Sequence, residues 1–347
     1  MGIIGSKSLL LPKISHFDFF LIIGTTLLAS TMAGVTVFWP LLFIPMLTLH
    51  SWLFGYEHLW STYTRLLFHS EDRKRYSALL WIVFPIVFFI LFAIGKTWGL
   101  KGIFLTYFIG QFYHTVRQSW GITQAYRRDA GGMSWDSEWL SELTLWSVPI
   151  WGFLHRSSQR PNEFLFQDFW LPPVPKVVVS VAGIISIILW LYWAYTRLMA
   201  LRRKELDARH TLFMISHFFV FFLGYIWIEE LCSGWLLVNV WHNVQYILYV
   251  WAFNQKRFVL GVDSKAKVLS WLSQKKLGVS ILYFLFTITL ALPMIYFLPL
   301  AGMTLDELFK NQLVPFAVLL AMSFTFHHYM VDGVIWKREH LPASINR

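Results

Sequence analysis

Histidine carries most of the chemistry legible in this sequence. Of 12 histidines, several sit inside long apolar runs: His50, His114 in YHTVRQSWG, His217, His242 in WHNVQY, and the pair His327-His328 in FHHYMVDGVIWK. Ionisable groups at membrane depth are costly and mark function. Neutral imidazoles from several helices, meeting in a dry layer, suit a zinc, copper, iron or nickel ion. A histidine ligand needs its other ring nitrogen held by a carboxylate, an amide or a carbonyl. Holders stand on the same helical faces. Asp332 lies four residues after His328, Gln118 four after His114, and Gln245 and Tyr246 three and four after His242. Glu57 lies seven after His50, two helical turns on. The expected metal ligands are therefore His50, His114, His242 and His328, with His217 as a further candidate. Asp332, Gln118 and Gln245 would orient them. Arg117, on the turn of His114, would hold an anionic group or pair with Asp332 or Glu57.

The plainer alternative is that each histidine is interhelical hydrogen-bond glue. His327 points about 100° away from His328 around a helix, so only one of the two should ligate. His58 and His69 fall near the end of their span and read as solvated. His16, His155, His210 and His340 fall in loops or tails.

The elements that must position these residues are membrane spans. The chain has 347 residues, of which 56% are hydrophobic and 14% charged, with 32 Phe, 19 Trp and 14 Tyr. Ordinary soluble domains carry about 25% charged residues. That balance excludes disorder and a typical soluble enzyme. Cys232 is the sole cysteine, which excludes an intrachain disulfide and a Cys-rich metal site. At roughly 20 apolar residues per span, the chain reads as an all-α, polytopic transmembrane bundle of about ten spans. The segments are 17–34, 36–60, 77–95, 99–122, 139–154, 177–199, 211–230, 235–253, 278–299 and 313–336, in one integral-membrane domain covering 1–347.

The net charge of +10 fits topology and not nucleic acid, because the basic residues sit between apolar segments. With both termini in the cytoplasm, the inside loops hold Arg73, Lys74, Arg75, Arg127, Arg128, Arg202, Arg203, Lys204, Lys256, Arg257, Lys265 and Lys267, among others. The outside loops hold only Lys96, Lys101, Arg156, Arg160, Lys176 and Lys310. A bacterial inner membrane is the expected home. On this map His50, His114, His217, His242 and His328 lie roughly 9–17 Å from the inner face, in one layer. The stretch 155–176, with Phe164, Phe166, Phe169 and Trp170, reads as an interfacial lid or an aromatic belt. Asp18 argues against a cleaved signal peptide over the first apolar run.

No GxSxG elbow, Walker loop, dinucleotide GxGxxG or HExxH zinc signature is present. The strings YHTVRQSWGI, WHNVQYILYVWAFNQKRF and HHYMVDGVIWK resemble signatures of an uncharacterised family of His-rich polytopic bacterial membrane proteins. In architecture the chain is also remotely similar to the Brp/Blh-type carotene dioxygenases. That similarity implies a mononuclear iron and cleavage of a polyene. Membrane desaturases and alkane hydroxylases are less similar, because HxxxH and HxxHH boxes are missing. The expected function is a metal-dependent, non-haem iron oxidoreductase or oxygenase acting on a lipophilic substrate, with membrane lipids as surroundings. Zinc or copper are the other metals considered. The alternative is a metal-ion or proton-coupled transporter using the same histidines, with Pro45, Pro149 and Pro293 marking helix breaks. Haem ligation by two histidines is a third reading.

Overall fold

The computed structural model describes residues 14–132, 136–309 and 314–337. Expectations for the two termini and for Lys310 lie outside the described residues. The protein is a bundle of helices with one two-stranded hairpin. Helix α1 (His16–Phe19) passes through a π turn at Phe20–Gly24 into α2 (Thr25–Phe38). After a 3-10 turn come α3 (Phe43–His50), a π turn at Ser51–Gly55 and α4 (Tyr56–Leu67). Short α5 (Ser70–Arg75) and a π turn at Leu79–Val83 precede α6 (Phe84–Asp129). Then follow α7 (Glu138–Gln159), β1 (Glu163–Phe164), β2 (Gln167–Asp168), α8 (Lys176–Arg202) and α9 (Ala208–Phe222). A π turn at Leu223–Trp227 leads to α10 (Leu231–Arg257), followed by α11 (Lys267–Leu272), α12 (Leu277–Phe309) and α13 (Phe316–Ile335).

Among the described residues, six stretches are long and apolar enough to cross a membrane: His16–Phe38, Leu79–Asp129, Lys176–Arg202, Ala208–Trp227, Leu277–Phe309 and Phe316–Ile335. The chain is thus a multi-pass integral membrane protein. The face of α8 that other helices leave open is mainly apolar, with Val181, Ile184, Ile185, Ile188 and Leu191, as lipid favours. Leu79–Asp129 has 51 residues. As one rod it would run about 75 Å, more than twice the roughly 30 Å of a hydrocarbon core. Gly99 divides it, at φ 63° and ψ −158°, a region open essentially to glycine alone. The two limbs correspond to the expected segments 77–95 and 99–122.

The second expected segment, 36–60, is displaced. Trp39 ends α2, and the next helical run reaches Leu67, so His58 lies well inside a helix. The remaining rods, α3–α4, α7 and α10, are more polar than the six. Helix α10 holds Asn239, His242, Asn243 and Gln245, all buried. It lies at the centre, against α2, α4 and α9. A Cβ at Gly234 would overlap the Gly224 carbonyl oxygen, so the Gly224–Gly234 pair lets α10 meet the π turn backbone to backbone.

Caps fix the helix starts. Glu230 accepts from the backbone N–H groups of Cys232 (2.7 Å) and Ser233 (2.5 Å), and Asp207 from that of His210 (2.9 Å). Ion pairs show which loops share an end of the bundle. Arg257 meets Asp72 at 2.7 Å, and Lys265 meets Glu71 at 2.5 Å. Arg127 and Arg197 both reach Asp136, at 3.1 and 3.7 Å. Lys101 meets Asp168 of the hairpin at 3.2 Å. These pairs tie α5 to the segment after α10, the ends of α6 and α8 to Asp136, and the hairpin to Lys101.

The segment expected as a lid or belt is part anchor and part surface. Phe164, Phe169 and Leu171 are buried, whereas Phe166 and Trp170 are exposed. Phe164 pairs with Gln167 across the hairpin, leaving Leu165 and Phe166 as a two-residue turn. Their φ values are 50° and 62°. A tight hairpin with both turn residues at positive φ normally uses Asn-Gly. Left-handed backbone at such residues costs about 1–3 kcal/mol each, and the buried Phe164 and Phe169 hold the turn in place.

Candidate metal centre

Three helices bring three imidazoles to one point. His58 from α4, His114 from α6 and His328 from α13 offer nitrogens that all lie within 4.8 Å of one another. His328 Nε2 is 2.7 Å from His58 Nε2 and 3.2 Å from His114 Nε2. All three residues are buried.

The other side of His328 decides what its Nε2 can do. Its Nδ1 lies 2.8 Å from Thr62 Oγ1. Thr62 Oγ1 and the Tyr246 hydroxyl lie 2.5 Å apart, and both reach Asp332 Oδ1, at 2.9 and 2.6 Å. With Thr62 oxygen accepting the Nδ1–H of His328, the Nε2 of His328 keeps a lone pair, the tautomer that a metal ligand needs. One lone pair serves one hydrogen bond well, yet two imidazole nitrogens face it. A cation bound by all three satisfies the convergence. Metal–imidazole bonds of about 2.0–2.1 Å put ligand nitrogens roughly 3.3 Å apart at a tetrahedral angle, close to the His114–His328 separation.

His242 stands beside the three, its ring centroid 4.8 Å from that of His58 and 5.0 Å from that of His114. Its Nδ1 is buried with no hydrogen-bond partner among the described residues. The site thus has three convergent donors and a fourth imidazole at its edge, and all are the nitrogen ligands that iron, copper and zinc accept.

The centre opens on a cavity of about 300 Å³ lined by His50, His58, His242 and His328 and by apolar groups including Leu47, Phe104, Trp235 and Met322. Its far wall is an amide ladder. Trp235 Nε1 donates to Gln111 Oε1 (2.6 Å), and Gln111 Nε2 donates to Asn239 Oδ1 (2.5 Å). His50 belongs to this wall and not to the three-His group: Asn243 Nδ2 donates to its Nε2 at 3.0 Å.

The remaining expected residues fall as follows. His217 Nε2 donates to the Leu145 carbonyl at 3.0 Å, and its ring packs on Phe221 and Trp241. Asp332 stands behind His328, 3.8 Å from its Nε2, and acts on the ring chiefly through Thr62. Gln118 grips the His242 backbone carbonyl at 3.1 Å instead of the His114 ring. Gln245 donates to the Leu21 carbonyl at 3.2 Å, tying α10 to the π turn after α1. Arg117 is exposed on the outer face of α6. Glu57 accepts from Thr287 of α12 at 2.5 Å.

His58 and Thr62 complete the site beyond the residues expected as its ligands and holders, and Tyr246, an expected holder of His242, serves Asp332 and Thr62 instead. A straight helix puts Glu57 on the face of His50, seven residues on. The π turn at Ser51–Gly55 closes i→i+5 bonds and takes up one residue more than an α turn. Eight residues then do the work of seven, and His58 takes the face that Glu57 would have had. Gly55 is the one local hint, a residue that eases departure from the α-helix.

Compared with models of protein families, with curated proteins and with solved structures, the chain matches none. What stands is a helical membrane protein with six candidate spans and a buried group of three histidines able to hold a metal ion.

Proposed function

We infer that the protein is an integral-membrane, metal-dependent oxidoreductase, with non-haem iron as its metal and a lipophilic molecule as its substrate. The observation that carries this is the three-His centre open to a half-open, mainly apolar cavity. A metal with three protein ligands and a free position is arranged for chemistry, whereas structural sites are closed. Iron, when bound, supplies the redox chemistry. The residues do the rest. Thr62, with Asp332 and Tyr246 behind it, fixes the ring of His328. His242 and His50 present imidazoles to whatever enters the cavity. Phe104, Trp235 and Met322 exclude water and solvate an apolar chain.

The ten-span topology, with both termini in the cytoplasm of a bacterial inner membrane, belongs to the same proposal. The paired loops support it. Cysteines introduced at Lys267 and at Gln167, in a Cys232→Ser background, should react with impermeant reagents from the inside and the outside respectively.

The deciding experiment measures metal in the detergent-purified protein by elemental mass spectrometry, together with its visible spectrum and oxygen uptake against a panel of polyenes and lipids. One iron per chain, no haem bands and oxygen uptake with one lipid class are expected. Metal uptake into sealed vesicles without oxygen consumption would replace the oxidoreductase by a transporter. No bound metal after anaerobic iron loading would reduce the histidines to structural contacts.

A further inference from the structure

A second and larger cavity, of about 680 Å³, lies at the hairpin end of the bundle. Its lining is apolar over Val37, Phe38, Phe43, Leu223 and Trp227, and it carries Glu163, Glu229 and Glu230 but no Lys or Arg. The two cavities meet at the hairpin turn. Leu165 lines the histidine cavity and Phe166 lines the outer one. The same division recurs on α3, where Phe43 faces the outer cavity and Leu47, one helical turn on, the inner. Phe166 closes on Phe43 with ring centroids 5.8 Å apart. Leu165 is tethered by its backbone N–H to Cys232 Sγ at 3.3 Å.

The turn is a poor one if its task is only to reverse the chain. Asn-Gly would serve both positive-φ positions without strain. Large apolar side chains are held there instead, each against a cavity. Strain kept at such a position points to a task beyond the turn itself.

We propose that the outer cavity binds a neutral or amine-bearing lipid, and that the Leu165–Phe166 turn is the gate through which its chain reaches the histidine cavity. This rests on the oxidoreductase function above for its purpose, but not for its test. The exposed apolar rim, with Phe38 and Trp227, suits a molecule arriving from the bilayer. The carboxylates set the class of headgroup. Glu230 is engaged as the cap of α10, whereas Glu163 and Glu229 are exposed. The one nearby buried cation, Arg156, is turned onto the carbonyls of Gly224, Ile228 and Glu229 and onto Gln159. An anionic head would meet three carboxylates offset by Arg156 alone, and a hydroxyl or ammonium head would meet no such repulsion.

The probes are a long-chain alcohol, the matching amine and the matching fatty acid, each with a photoreactive diazirine at the chain end. They are applied to the purified full-length protein in nanodiscs, and adducts are mapped by mass spectrometry. Metal content is measured on the same samples. The alcohol and the amine should label the inner lining, at Leu47 or Met322, and the fatty acid should label it severalfold less. Leu165→Trp should confine adducts to the outer cavity. Replacing the turn by Asn-Gly (Leu165→Asn with Phe166→Gly) should raise inner labelling. Chain-end adducts confined to the outer cavity or the lipid-facing surface in the unaltered protein would overturn the proposal. So would equal labelling by the fatty acid, or inner labelling that neither turn variant changes. Expected labelling in a protein that binds no metal would leave the gate standing and remove the oxidoreductase. Stoichiometric metal with no inner labelling would do the reverse.

Discussion

His327 and His328 are neighbours on one helix, both buried, and they do different things. His327 accepts from the Tyr63 hydroxyl through Nδ1 (2.6 Å) and donates from Nε2 to the Leu79 carbonyl (2.7 Å). Both its nitrogens are satisfied, and its ring stacks on Tyr63. The Leu79 carbonyl stands at the start of a π turn, where the regular helix bond is broken. His327 thus mends a helix. His328 has one nitrogen satisfied by Thr62 and the other aimed at two more imidazoles. Burial does not separate a ligand from glue, and neither does sequence context. In this pair the separation lies in where the second ring nitrogen points: to a backbone carbonyl in His327, to two other imidazoles in His328.

The largest effect that would test this contrast is on metal. His328→Ala, His58→Ala and His114→Ala should each abolish stoichiometric metal, read by elemental mass spectrometry. His327→Ala should keep it. Loss of metal in both members of the pair would erase the distinction. Thr62→Val comes next. It removes the group that orients His328, and such losses cost about 10–100-fold in metal affinity. Competition with a chelator of known affinity would show it, and an unchanged affinity would remove Thr62 and Asp332 from the site.

His327→Ala and His217→Ala should act on stability alone. Each takes a donor from a carbonyl, buried at Leu145 and half-buried at Leu79, which costs about 1–3 kcal/mol at the buried one and less at the other. A lower thermal midpoint with full metal is the expected outcome, and a fall in metal with His217→Ala would draw that residue into the site.

The smallest effect lies outside the membrane. His69 caps α5 by accepting from the Asp72 backbone N–H at 3.2 Å. Burial, with the nearby Arg257, holds its pKa below the ordinary 6.5, against the pull of Asp72, Asp263 and Glu71. The folded protein therefore binds this proton less readily than the unfolded chain does. Stability from this group is complete above pH 6.5 and falls as the pH drops below it. His69→Gln should flatten that slope in a pH series of thermal midpoints, and an unaltered slope would show that other groups set it.

These contrasts also mark what the sequence could and could not disclose. Apolar runs located the helices, and the break in Leu79–Asp129 was visible as an interval between two runs. His114 and His328 were legible because each lies in a regular helix with a polar residue one turn away. His58 was not, because a π turn is set by packing and shifts the face of everything after it. The hairpin was hidden for a related reason. Leu-Phe carries no turn signal, and only the surrounding aromatic core holds it at positive φ. Gln118 and Gln245 were on the expected faces but bind backbone carbonyls, a choice that depends on which neighbour comes within reach.

The polarity of α10 has a consequence for how the protein is made. With Asn239, His242, Asn243 and Gln245 along its length, this helix has little affinity of its own for hydrocarbon. On the ten-span topology it would be slow to partition from the insertion machinery alone, and the Gly224–Gly234 contact fits it to leave paired with the helix before it. His58, His114 and His328 lie on helices synthesised before and after that step. The centre can therefore close only when α13, carrying His328, has arrived, and metal loading would follow that step.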